Sequence, residues 1–375
     1  METVRPIFEA FVDVNIVLAL SVILWMGIRH LMDRSPLRHA YGLKLQMLNG
    51  LALAVLLTPF VALLYGKAKL LLGIGRDPLN FSDLLVASYL KGGIALKASQ
   101  FEALLAWRSE ATEHFLLRDT PVWLALFSVL VLGALFHAAH LAVQIFRLRR
   151  TMADCHEWRR MGRLSLLVSD HVAVPFSTRG LRRRYVVLPA GLLTRPTDLK
   201  LVLRHELQHL RQNDVEWEIL LECARPFFFW NPAYRLLKRE VEVLRELACD
   251  QQVVTRRGTD LRAYCDCLLR ACRRGFSQQA QPMDVPVVTL VEVRRSWFGQ
   301  GSSQRLRDRM LTMFDHRDFG AGVGRLRHLS LLFCAVLMLV VIGMQKPADW
   351  SHDRLMLDAI VNLEQLNKHN TFGRP

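Results

Sequence analysis

The chain has 375 residues, a net charge of +15 at neutral pH, 51% hydrophobic residues and a mean hydropathy of +0.18. Its apolar residues fall in long runs, which excludes an ordinary pair of soluble domains and points to a membrane. The arginines gather at the ends of those runs and no recognition module accompanies them, so they read as partners of anionic headgroups, and direct nucleic-acid binding is not expected.

Taken in order, residues 1–66 predict a hairpin of two spans, about 7–28 and 43–65. The leader "METVRP" is not strongly basic and no small-x-small cleavage site follows, so the first run reads as a retained anchor. Residues 67–120 form an extracytoplasmic segment, and 121–146 a third span. Residues 147–328 are the large soluble piece; a shorter apolar run at 329–345 is the fourth span, and 346–375 a short extracytoplasmic tail. Residues 147–328 hold 33 Lys and Arg against 20 Asp and Glu, while 67–120 hold 7 against 6. By the positive-inside tendency the large piece faces the cytosol, and the chain is a multi-pass protein of a bacterial inner membrane.

Within the cytosolic piece, residues 164–188 show short apolar runs split by Pro and Gly, predicting two or three strands. Pro196, Thr197 and Asp198 then start a helix, with Thr197 or Asp198 as its cap, that runs to about residue 211. Turned at 100° per residue, this helix puts Leu199, Leu203, Leu207 and Leu210 in one stripe and His205 with His209 on nearly the opposite side. The apolar stretch 217–237 breaks at Pro226 or at Asn231-Pro232 and is expected to rest on the membrane surface. In the next helix Glu242, Glu246 and Asp250 share a face. Cys265, Cys267 and Cys272 read as packing residues rather than metal ligands, and residues 302–314 as a further helix.

Two histidines four apart on a helix aim their imidazoles at one point, as tetrahedral zinc requires. Glu206 is the natural base for a water activated there, and a glutamate from a later helix suits the third ligand position, with Glu246 and Asp250 forming a fitting pair. His171, Arg239 and Arg245 are candidates for stabilising an oxyanion.

"HELQH" (205–209), Asp214, "WNP" (230–232) and "RELACD" (245–250) together resemble the M56 family of integral-membrane zinc peptidases, the BlaR/MecR group. "PFSTRGLRRRYVVLPAGLL" (175–193) and "RLRDRMLTMF" (305–314) support the likeness. The resemblance implies a mainly α membrane protein: four transmembrane helices plus a cytosolic α+β, gluzincin-like zinc metalloprotease domain with a small β-sheet. It implies His205, His209 and Glu246 as Zn2+ ligands, Glu206 as catalytic base, Asp250 orienting a histidine, and 183–189 as an edge strand that pairs with substrate. It further implies a cytosolic protein substrate such as a transcriptional repressor, with a homodimer as one assembly. The penicillin-binding sensor domain of the family's sensors is missing after the last span. An M48-like housekeeping protease and a non-catalytic receptor or scaffold are the competing readings.

Overall fold

The computed structural model describes residues 4–71, 86, 89–90, 97–117, 120–256, 258–277, 288–289, 302–314, 356 and 359–363. The predicted fourth span lies outside them. Among the described residues, three helices are long and apolar enough to cross a membrane, with spans at Ala10–Asp33, Tyr41–Phe60 and Pro121–Ala153. They belong to α1 (Val4–Asp33), α2 (Tyr41–Leu71) and α4 (Pro121–Ala153), with α3 (Ala98–Leu117) between the last two.

Two compact units divide the chain. The first comprises residues 1–23, 50–132 and 332–375. Aromatic packing organises it: Phe115 of α3 is buried, stacks on Phe8 of α1 at 4.5 Å, and meets Phe127 of α4 at 5.6 Å.

The second unit comprises residues 24–49 and 133–331. Its sheet contains β1 (His156–Met161), β2 (Leu164–Ser169), β3 (Phe176–Arg179), β4 (Arg184–Pro189) and β5 (Val288–Thr289), in the order β1-β2-β4-β3-β5. Only β2 and β4 run parallel. The alternation of strand side chains separates two cores. Leu166, Val186 and Leu188 face the helices, whereas Leu167, Phe176 and Val187 pack against Leu148 and Met152 at the end of α4. The third span therefore continues as helix past residue 146 and ends on the sheet.

The expected edge strand at 183–189 is instead the centre of the sheet, paired on both sides. Its run Val186-Val187-Leu188 is buried on both faces, the pattern of an interior strand. Strand β1, exposed throughout and with only Trp158 and Met161 apolar, carries no apolar alternation that would announce it.

After a single 3-10 turn come α5 (Pro196–Gln212), α6 (Asp214–Phe228), α7 (Pro232–Val254), α8 (Leu261–Ser277) and α9 (Ser302–Phe314). The cap of α5 is Arg195, not Thr197 or Asp198; Pro196 takes the first helical position, where its missing N–H costs nothing. Asp198 accepts a forked pair of bonds from Arg270 at 2.6 and 3.0 Å. Asn213, left-handed at φ 58°, ends α5 and turns the chain into α6. Pro226 sits inside α6, and the break falls at Asn231-Pro232, where the Asn231 side chain caps α7 by accepting from the Ala233 N–H at 3.0 Å.

Candidate metal centre

Helix α5 is buried on two sides. Leu201, Val202 and Leu210 enter the core, and His205, Glu206 and His209 are also closed to solvent. The four-residue spacing stacks the two imidazoles one turn apart, with their Nε2 atoms 2.9 Å from each other. Glu246 of α7 completes a triangle, with Oε2 3.8 Å from His205 Nε2 and Oε1 3.7 Å from His209 Nε2. Zinc held about 2.0–2.1 Å from each of three tetrahedral ligand atoms keeps those atoms roughly 3.3 Å apart. The observed separations bracket that spacing.

The opposite ring nitrogens explain the inward aim. His209 Nδ1 lies 2.7 Å from Asp214 Oδ2 at the start of α6. His205 Nδ1 lies 2.7 Å from Tyr264 Oη of α8, whose hydroxyl donates to Asp250 Oδ1 at 2.7 Å. These partners hold the ring protons on Nδ1 and turn both Nε2 lone pairs toward one point. Burial pushes both imidazoles well below their ordinary range, so both rings are neutral. Two facing lone pairs repel unless a cation lies between them.

Around this triangle the charges are dense. Burial raises Glu246 to about 8 against the pull of Arg309 and Arg245, and raises Asp214 to about 7 against Arg245. Burial would raise Asp250 too, but Arg309 of α9 outweighs it and keeps that carboxyl below its usual value. The guanidinium forks onto Asp250 at 2.7 and 2.8 Å, and its Nη1 stands 3.1 Å from Glu246 Oε2 without hydrogen-bond alignment. Glu206 is raised to about 8, chiefly by burial. The Ser177 hydroxyl of β3 opposes that rise from nearby, yet neither it nor either Glu206 oxygen completes a hydrogen bond. A buried carboxylate with two open oxygens beside converging imidazoles is the donor and acceptor set that a divalent cation and its water would satisfy.

His205, His209 and Cys249 also bring ligand atoms within 4.8 Å of one another, a possible metal-binding group. The Cys249 sulfur, however, is 3.4 Å from His205 Nδ1, the nitrogen already engaged by Tyr264. Burial holds its thiol well above the ordinary value, so it stays protonated. Glu246, facing both Nε2 atoms, is the better third partner.

The structure thus brings together His205, Glu206, His209, Glu246 and Asp250, five residues singled out from the sequence. Asp250 meets His205 through Tyr264, standing 3.5 Å from Nδ1 itself. Asp214 gains a role that the motif alone did not give it. Tyr264, Arg309 and Ser177 were missed. Arg245 is committed to Glu218 at 2.7 Å, His171 sits on an exposed turn, and Arg239 is partly exposed on α7.

The family model described as BlaR1 peptidase M56 matches residues 10–289, well over half of the chain. The class is therefore that of membrane-associated metallopeptidases, and the chain belongs to the M56 peptidase family. No curated protein matches it.

Proposed function

We propose that the chain is a membrane-embedded zinc endopeptidase that hydrolyses a cytosolic protein. His205, His209 and Glu246 hold the metal, with Asp214 orienting one ring and Asp250, through Tyr264, the other. Zinc bound there would supply an activated water and polarise the scissile carbonyl. Glu206 takes the proton of the attacking water and returns it to the leaving amine. Its two open oxygens beside the converging rings suit it to that exchange. The observation that carries this reading is the convergence of two neutral imidazoles and Glu246 beside the open oxygens of Glu206.

The excess of basic residues in 147–328 supports a cytosolic catalytic domain beneath an inner membrane. Likeness to the BlaR/MecR group supports a signalling role in which the substrate is a transcriptional repressor. Metal analysis of the purified chain is expected to find about one zinc per chain, lost in His205→Ala. Glu206→Gln should keep the metal, cut nothing and retain bound substrate for identification. A wild-type chain without metal, or undiminished cleavage by Glu206→Gln, overturns the proposal.

A further inference from the structure

The α6–α7 hairpin meets α4 at its tip. The Phe229 ring lies so close to Gly133 that a Cβ there would stand 2.3 Å from it, and its centroid is 5.1 Å from that of the His137 ring. Further down the same helix, Leu148 and Met152 pack on the sheet. At 1.5 Å per residue these two contacts are roughly 22 Å apart along α4. Arg147, Arg149 and Arg150 mark where α4 leaves the hydrocarbon. The tip contact then lies roughly 20 Å above that boundary, within a core about 30 Å thick.

A second line of contacts gives the same direction. Glu240 of α7 pairs with Arg29 near the end of α1, and Gln251 donates to the His39 carbonyl of the following loop at 3.1 Å. As α1 leaves the membrane, α7 runs beside it in the same sense. The stretch from Pro232 to Glu240 therefore points back into the bilayer, for roughly 12 Å.

The surface of the hairpin is inverted relative to a soluble helix pair. Phe227 is 63% exposed, Leu236 47% and Trp230 44%, beside the exposed Leu135 and Phe136 of α4. Its charges turn inward instead: Lys238 pairs with Glu222 and, at 3.3 Å, with Glu218, which also accepts from Arg245. Between Trp217 and Leu237 Arg235 is the one fully exposed charge, on a stem long enough to reach back toward headgroups, and the partly exposed Arg225 pairs with Glu222 at 3.4 Å. Three bonds internal to the hairpin satisfy polar groups at and near the tip, of the kind lipid demands. The Asn231 N–H donates to the Phe228 carbonyl, the Tyr234 N–H to the Asn231 carbonyl, and the Tyr234 hydroxyl to the Leu221 carbonyl.

We propose that α6–α7 is a re-entrant hairpin whose tip, residues 227–230, is immersed in acyl chains beside α4 rather than resting on the membrane surface. The proposal rests on α4 being a membrane span and is independent of any peptidase activity. Nitroxide labels at Phe227→Cys, Trp230→Cys and, as a control on an exposed turn, Leu181→Cys test it. Each is placed in the full chain with its accessible cysteines changed to serine, reconstituted in phosphatidylcholine/phosphatidylglycerol vesicles. Power-saturation electron paramagnetic resonance should find the two tip labels more accessible to oxygen than to a water-soluble nickel chelate, with the ratio reversed at 181. Nickel accessibility at the tip equal to that at 181 overturns the proposal in favour of an aqueous tip. Low accessibility to both reagents overturns it in favour of a contact with a second copy.

Discussion

Arg309 is the residue on which both halves of the site depend. It grips Asp250, whose link through Tyr264 sets the His205 ring, and it stands against Glu246. Replacing such a partner of a metal ligand typically costs about 10–100-fold in metal affinity. Arg309→Met is expected to lose that much in chelator competition, and Arg309→Lys to recover part, since it restores the charge but not the planar fork. Asp214→Asn should weaken the metal similarly through His209. The Asp250 carboxyl also links stability to pH. Because its folded pKa lies below the unfolded one, its contribution is complete above its ordinary value of 3.8 and disappears as the pH falls through the folded value. The zinc-free protein should therefore unfold at a higher temperature than Asp250→Asn near pH 7, with the gap closing in acid.

At the level of elements, local signals gave α5 and α7 because their chemistry is periodic: His205 and His209, then Glu242, Glu246 and Asp250, repeat at four. Tyr264 and Arg309 were illegible for the converse reason. Each reaches the site alone from a distant helix, and a single residue has no spacing to betray it. Strand order was hidden likewise, since nothing local to 184–189 says which strands will flank it, although its unbroken Val186-Val187-Leu188 run hinted at burial on both faces. That central place predicts sensitivity: Leu188→Ala should cost about 2–5 kcal/mol by chemical denaturation. Asn231→Ala, which removes the cap of α7, should cost about 1 kcal/mol.

For the whole molecule, composition and charge alone announced a membrane protein, and three of the expected spans are helices of sufficient length. What the sequence could not announce was the depth proposed for the α6–α7 hairpin. The stretch 217–237 looked like a surface element because Pro, Arg and Glu interrupt it. Only the folded hairpin turns those charges toward each other and leaves the aromatic residues outside.

His205, Glu206 and His209 are each at 0% exposure. Glu246 alone of the three proposed ligands keeps a partly open side chain, 18% exposed, so on the proposed function a scissile bond would approach the ion from the α7 side, past that carboxylate.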